Sequence, residues 1–447
     1  MSSTPDVRPR STDVVVREAH ATFDRVRLDP PFVISGRSLT SYTLAEVEVV
    51  VSDRAGRTAT GRGHSVLSVP WAWPSATLDP NVRDAVMRSC VAAFASRAEG
   101  LGPADPIQIW RQLEAARTAV VAAVDGAGEL PGLAAALALG AVDNAVHDAW
   151  SRAAGRPAFS MYHEEFLAED LGWLDPALRG RYPGDFHGEP RRQLPVQHVV
   201  GVGDPLESGD RSTAGDPSRA GGEPSLRDWL RAEGIRHLKV KVGGLDPLED
   251  AARIARVAAV AQSEVGEYTL AVDPNEGYPD AATTVLLAVE LRRTAPWAAA
   301  RLGYVEQPTP RALVPGRDAF SGVGVPVVID EGYSDPGRLA RLRADGWSGV
   351  VIKASKGQSS ALVTHAYARA HDLFVTVQDL TCVAGAFAHS ARLVTGLPLS
   401  SPHLEYNSRQ YAPAGNRALG ASHPALTRVA AGAVRHPLLD RPGLTQV

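Results

Sequence analysis

Only two cysteines occur in the 447 residues, Cys90 and Cys382, far apart and each in apolar surroundings. That rules out a disulfide framework and suits a reducing compartment. Long apolar runs are missing too. The longest, around Leu130 to Val142, is short for a membrane span and leads straight into Asp143, His147 and Asp148. Neither sign of charge dominates: the formal net charge is −4 and the pI is near 6.4. Basic residues do not run together, so a polyanion such as nucleic acid is not an expected partner. The polar stretch Met1–Glu18 has no signal-peptide core and no acid-free amphipathic pattern. Residues 1–30 therefore read as a flexible tail, and the chain as cytoplasmic, with no membrane partner.

Apolar residues, 44% of the chain, are ample for more than one core at this length. Alternation through Ser41–Val51 leads to a turn at Asp53-Arg54-Ala55-Gly56, which predicts an antiparallel meander. Residues 80–125 and 131–155 carry helical apolar spacing, and Gly155-Arg156-Pro157 is a helix stop. Residues 31–160 thus form an α+β domain. Residues 161–193 are rich in acids, arginine, glycine and proline and read as an insertion or linker. Leu206–Pro224 reads as a second surface insertion.

From Leu194 to Tyr406 short apolar runs alternate with amphipathic helices. Eight strands are expected, at 196–202, 237–242, 268–273, 303–306, 325–330, 349–353, 373–379 and 400–406. Helices are expected between them, for example at 247–264, 281–294, 337–344 and 359–371. This predicts an α/β fold, a (β/α)8-type barrel or modified TIM barrel over 194–406. Residues 407–447 are then a C-terminal segment packing back on the N-terminal domain.

Seven of the expected strands end in a polar residue, namely Lys241, Asp273, Glu306, Asp330, Lys353, Asp379 and Glu405. At barrel spacing these gather at one rim, where such folds place their chemistry. Asp273, Glu306 and Asp330 close three consecutive strands. Three hard oxygen donors without His or Cys suit Mg²⁺ and disfavour zinc; the bland alternative is acids that are solvated or cap the next helix. Period-two alternation in Leu238-Lys239-Val240-Lys241-Val242 turns Lys239 and Lys241 to one face, the barrel interior unless the strand lies at an edge. A desolvated lysine near another cation becomes neutral enough to take a proton. Lys353 stands four strands round the ring from Lys241, hence opposite it. Lys356 reads as a loop residue.

Five pieces, Lys239-Val240-Lys241, Asp273-Pro274-Asn275, Glu306-Gln307-Pro308, Asp330-Glu331 and Val351-Ile352-Lys353, resemble in order and spacing the enolase superfamily, in particular its muconate lactonizing enzyme-like subgroup within the mandelate racemase/muconate lactonizing enzyme family. The resemblance implies that Asp273, Glu306 and Asp330 bind Mg²⁺ and that Lys241 and Lys353 are the acid/base pair. It implies that Lys239 supports the substrate carboxylate, and that the N-terminal α+β domain caps the barrel with loops around 34–41 and 68–76, the latter bearing Trp71 and Trp73. A Lys base working with Mg²⁺ is established chemistry for this superfamily. Asn275, Glu331, Asp379 and Glu405 are candidates for substrate contacts or for support of the residues that make them. The chain departs from the mandelate racemase pattern, having Lys353 on the sixth strand and Gln378-Asp379 on the seventh. Glu405-Tyr406-Asn407 only partly matches the Asp-x-Asp of dipeptide epimerases.

The expected chemistry is removal of a proton α to a small substrate carboxylate, giving a metal-stabilised enediolate. Reprotonation makes the enzyme a racemase, epimerase or cycloisomerase. Loss of a β-leaving group instead makes it a lyase, of the acid-sugar dehydratase or o-succinylbenzoate synthase kind. A barrel retained only for binding would require a broken lysine or carboxylate set, and the set is complete. Two decoys fall away: Gly201-Val202-Gly203 lacks the third glycine of a dinucleotide fingerprint, position 206 being leucine, and Cys382 reads as a packed cysteine. A homo-oligomer stays open.

Overall fold

The computed structural model describes residues 9–34, 37–210, 224–436 and 440–445. The meander consists of β1 (Val14–Ile34), β2 (Arg37–Asp53) and β3 (Thr58–Leu67), paired antiparallel in that order. Val47, Val49 and Val51 are buried on one face while Glu46 and Glu48 stay on the other, the alternation of a half-buried sheet. The turn forms at Asp53, whose Oδ1 accepts from Ala55 N at 2.9 Å and Arg57 N at 2.8 Å. The expected tail is shorter than 1–30, because β1 begins at Val14. Val14 and Val16 are fully buried, and Val14 N donates to Ala104 O at 2.9 Å. Two apolar side chains on one face are enough to dock the strand, although the polar residues around them dominate its composition. Residues 1–8 lie outside the described residues.

Against the sheet pack α1 (Val69–Ala72), α2 (Pro80–Ala98) and α4 (Gly132–Ala154), while α3 (Pro106–Ala122) lies on α2 and α4. The helical stretch expected over 80–125 is two helices, since Gly100 at φ +79° and Pro103 break it. Aspartates cap both starts, Asp79 accepting from Asn81 N and Asp105 from Gln108 N, with proline in the first helical turn. Buried α4 lies directly on β3. A Cβ at Gly61 or Gly63 would stand 2.1 Å from Ala149 N or 2.2 Å from Ala141 O, so only glycine admits the helix backbone this close.

Residues 161–193 are part of the packed body rather than a surface insertion. Phe166, Leu167, Leu171 and Leu178 are buried, the last two within short 3₁₀ turns. Polar ties fix the segment: Glu169 to Gln108 at 3.0 Å and to Arg111, Asp175 to His371 at 2.7 Å, and Ala168 N to Asp105 Oδ2 at 3.0 Å. Trp173 of this segment also packs on Trp110 of α3, at 6.4 Å between ring centroids. Of the second expected insertion, residues 211–223 lie outside the described residues.

Asp105 holds both α3 and this segment. Asp105→Ala should lower unfolding free energy by about 1–3 kcal/mol, a lost cap plus a buried N–H left unpaired, in urea titrations. Burial raises the Asp105 carboxyl from 3.8 to about 6. The folded chain therefore holds that proton to higher pH than the unfolded chain. The contribution is complete below pH 3.8 and is lost as pH rises through 6. Asp105→Asn should accordingly show a shallower decline of stability across that window than the parent.

The second body is β4 (Gln193–Val200), α5 (Leu226–Glu233), β5 (His237–Lys241), α6 (Pro247–Val265), β6 (Thr269–Asp273), α7 (Ala281–Thr294), α8 (Pro296–Ala299), β7 (Leu302–Glu306), β8 (Val327–Ile329), β9 (Gly349–Ile352), α9 (Gln358–Ala370), β10 (Phe374–Val377), α10 (Ala384–Gly396) and β11 (Leu404–Glu405). All eight strands are parallel, in the order β10-β9-β8-β7-β6-β5-β4-β11. A parallel bridge between Thr376 and Ser401 closes the ring. The helix expected over 337–344 is a 3₁₀ turn, Pro336–Arg341, with Leu339 and Leu342 as its apolar anchors. Inside the ring Ala271, Tyr304, Val328 and Val351 form a separate apolar layer with Phe374. That layer is the floor beneath the strand ends.

A last strand, β12 (Ala433–Arg435), pairs antiparallel with β4. The C-terminal segment also meets the N-terminal domain: Tyr411 packs on Phe32 at 4.5 Å between ring centroids, and Leu444 N donates to Asp148 Oδ1 at 2.6 Å. No helix among the described residues is long and apolar enough to cross a membrane.

Candidate active site

Period-two geometry in β5 sends Lys239 and Lys241 into the ring, and both are buried, 1% and 7% exposed. Two adjacent buried ammonium groups need counter-charge, and the neighbouring strands supply it. Lys239 Nζ lies 2.8 Å from Glu306 Oε1, 3.1 Å from Glu405 Oε2 and 3.2 Å from Asp273 Oδ2, and it donates to Gln378 Oε1 at 3.2 Å. Lys241 Nζ lies 2.5 Å from Asp273 Oδ2 and 2.8 Å from Asn275 Oδ1. Across the ring Lys353 Nζ lies 3.1 Å from Asp330 Oδ2 and donates to Asp379 O at 3.1 Å.

The carboxylates are thus drawn onto the lysines. Among the described residues no three His, Cys, Asp or Glu side chains stand together as a ready group of metal ligands. One oxygen breaks the pattern: Glu306 Oε2 is buried without a hydrogen-bond partner. Burial would raise Asp273 and Asp330, but Lys241 and Lys239 on the one, and Lys353 and Lys356 on the other, hold both below the ordinary carboxylate value. Glu306 goes the other way. Burial, with Asp273 and Asp330 beside it, pushes it up to about 8 against the pull of Lys239.

A neutral lysine, expected from desolvation next to another cation, is not what this arrangement gives at Lys239 or Lys353. Burial lowers each, yet Glu306, Glu405 and Asp273 hold Lys239 above its usual range, and Asp330 and Glu306 do so for Lys353. Opposite charge at 3 Å outweighs the cost of burial.

The other expected residues divide. Asn275 Nδ2 and Trp71 Nε1 both donate to Glu331 Oε1, at 3.1 and 2.9 Å, so Trp71 of the capping domain is tied to the barrel rim. Its ring faces the Lys353 ammonium at 5.3 Å. Trp73 is buried away from this cluster, its carbonyl accepting from Arg83. Glu405 joins Lys239. The Asp379 carboxylate accepts from Cys382 N of its own turn at 2.9 Å and from Ser390 Oγ of α10 at 3.3 Å. The Cys382 thiol is buried and pushed up by that burial and by Asp379, an inert state.

Lys356 was expected in a loop, but its ammonium is buried here. Its Nζ donates to Asp330 O at 2.9 Å, Asp330 Oδ1 at 3.2 Å and Tyr333 O at 2.8 Å, and it lies 5.6 Å from the Trp71 ring. A signal for it was present in the sequence. Of the 46 basic residues, only Lys239, Lys241, Lys353 and Lys356 are lysines, the other 42 being arginines, and all four meet at this one place.

Phe32, Leu39, Ser68 and Trp71 of the N-terminal domain roof the cluster, enclosing about 30 Å³, room for one water. A larger cavity of about 700 Å³ lies elsewhere, beside His198, Val200, Trp229 and Tyr411. Arg27, Asp29, Asp204 and Arg417 line it as well, but no lysine and none of the three carboxylates at consecutive strand ends does, and chemistry rather than volume selects the small one.

A family model described as "Enolase C-terminal domain-like" matches residues 224–445. Among solved structures, the chain is similar to a dipeptide epimerase from Enterococcus faecalis complexed with Mg and dipeptide L-Leu-L-Tyr, at 15% identity and TM-score 0.64, covering 96% of this chain and 99% of that one. It is similar to an enolase from Bradyrhizobium complexed with magnesium and mandelic acid, at 18% identity and TM-score 0.63, over 97% and 96% of the two chains. It is also similar to an N-succinyl Arg/Lys racemase from Bacillus cereus, at 16% identity and TM-score 0.63, over 96% and 95%. At such identities the likeness establishes the fold, a capped (β/α)8 barrel. No curated protein matches the sequence.

Proposed function

Because the chain belongs to the enolase superfamily, we propose that it is a Mg²⁺-dependent isomerase that removes a proton from the carbon α to a small substrate carboxylate and returns it, as a racemase, epimerase or cycloisomerase. The pairing across the ring carries this reading, with Lys241 on Asp273 and Lys353 on Asp330 four strands apart.

The donors suit the metal. Asp273, Glu306 and Asp330 offer only hard carboxylate oxygens from three adjacent strands, and Glu306 Oε2 is buried and unpaired. Mg²⁺ held there would act as a Lewis acid on the substrate carboxylate. The chain's own residues supply the rest. Lys239, among Glu306, Glu405 and Asp273, places a fixed positive charge beside the position where negative charge develops. Lys241 and Lys353 approach the α carbon from opposite faces, one taking the proton and the other returning it. The roof of Phe32, Leu39 and Trp71 excludes water from the exchange. The dipeptide and mandelic acid of the similar structures are themselves small carboxylates.

The test is proton exchange in D₂O with amino-acid derivatives, dipeptides and acid sugars. Deuterium at the α carbon of recovered substrate is the expected result. A dehydrated product would move the enzyme to the lyases. No exchange with any carboxylate, with or without Mg²⁺, would sink the proposal. EDTA should abolish exchange and Mg²⁺ restore it. At a hundredfold excess over its dissociation constant, Mg²⁺ should also stabilise the fold by about 2.7 kcal/mol.

A further inference from the structure

A second group of buried polar side chains lies where α4 meets the segment between β9 and α9. Asn144 Nδ2 donates to Ala354 O and to His64 O, both at 3.0 Å. Ser65 Oγ donates to Ser355 O at 3.0 Å, and Val66 N donates to Ser355 Oγ at 3.3 Å. Asp143 accepts from both Ser359 N and Ser359 Oγ at 2.7 Å. None of Ser65, Asp143, Asn144, Ser355 and Ser359 is more than 1% exposed. The backbones themselves touch, since a Cβ at Gly140 would stand 2.3 Å from Ser355 O.

This segment, Ala354 to Ser359, begins one residue after Lys353 and contains Lys356. Its backbone carbonyls at 354 and 355 and its amide at 359 are all satisfied from the capping domain. Fixing a buried backbone this way fixes the direction of the side chains it carries. We propose that Asn144 and Asp143 are positioning residues for Lys353 and Lys356: the capping domain holds the backbone that carries two of the four lysines. Its relevance to catalysis rests on the function proposed for Lys353. His147 Nε2 lies 2.8 Å from Ser359 Oγ, so with Asp143 the set has the composition of a nucleophile, base and acid. His147 and Ser359 are fully buried and Asp143 is 1% exposed, so no substrate reaches them and the set holds structure.

With only four lysines in the chain, an amine-directed reagent reports on these residues and the α-amino group alone. The metal-free protein is labelled with N-hydroxysuccinimidyl acetate and each lysine followed by peptide mass spectrometry. In Asn144→Ala, Lys353 and Lys356 should react about tenfold faster relative to Lys239 and Lys241, as local opening of one segment predicts. Ser65→Ala should shift the same ratio by less. It decides the matter if the first variant does not fold. Asp143→Asn keeps an acceptor for Ser359 N and should stay near the parent. Equal acceleration of all four lysines, or none, would overturn the proposal. The experiment needs neither substrate nor metal, so a failure to turn over carboxylates would leave its result standing.

Discussion

Lys353→Ala is expected to reduce Mg²⁺-dependent α-proton exchange by about 10²–10⁴-fold, the range for removing a positioned acid or base, and to do so for one stereoisomer of the substrate far more than for the other. Lys353 is 3% exposed under the ring of Trp71, so bulk water has no ready path to replace it. Lys241→Ala should show the mirror preference, because β5 and β9 stand on opposite sides of the ring. Interconversion of the stereoisomers should fail in both variants, since each leaves one face without a proton donor. Folding should survive Lys353→Ala, because Lys356 still neutralises Asp330 at 3.2 Å. The measurement is exchange of each stereoisomer in D₂O by NMR. Full exchange of both stereoisomers by either variant would remove that lysine from the acid/base pair.

Lys239→Met should be the most destabilising single change at the site, by about 3–5 kcal/mol in urea unfolding at neutral pH, as found when one partner of a buried ion pair is removed. The methionine fills similar space, so the loss is electrostatic rather than a cavity. Glu306, Glu405 and Asp273 all lie within 3.2 Å of the Lys239 ammonium. Asp273 keeps Lys241, but Glu306, already pushed up to about 8, and Glu405 lose the cation they touch. Mg²⁺ at the proposed site should recover part of the loss, because it offers Asp273 and Glu306 a replacement for that charge. A loss below about 1 kcal/mol, the worth of an exposed pair, would mean that the cluster is not the closed charge network described.

The stability loss and the exchange loss separate the roles of the lysines. Lys239 answers mainly to unfolding, while Lys241 and Lys353 answer to exchange. A chain in which all three behaved alike would have a charge cluster without a division of labour, and the acid/base assignment would lose its basis.

Much of this was legible from local pattern. The interval of apolar runs and helices located all eight barrel strands, because a parallel strand needs a return crossover of fixed minimum length. Alternation in β5 turned Lys239 and Lys241 inward, since successive side chains of a strand must face opposite ways. The three acids fell at consecutive strand ends for the same reason. What local pattern left open was who meets whom. Glu405 and Asp379 were equivalent in the sequence, yet one carboxylate reaches Lys239 at 3.1 Å and the other accepts from Cys382 N in its own turn and from Ser390 Oγ of α10.

Sequence by itself determined the barrel, the inward lysines and the order of carboxylates around the rim, because these follow from short-range periodicity and obligatory chain connections. Only the tertiary structure decided that Lys356 belongs to the cluster, that β1 starts at Val14, that residues 161–193 are packed, and that each lysine nitrogen lies within 3.2 Å of a carboxylate oxygen. Those outcomes depend on distances between residues tens to hundreds of positions apart. A buried ammonium takes whichever oxygen the fold brings within about 3 Å, and no local pattern records which one that is.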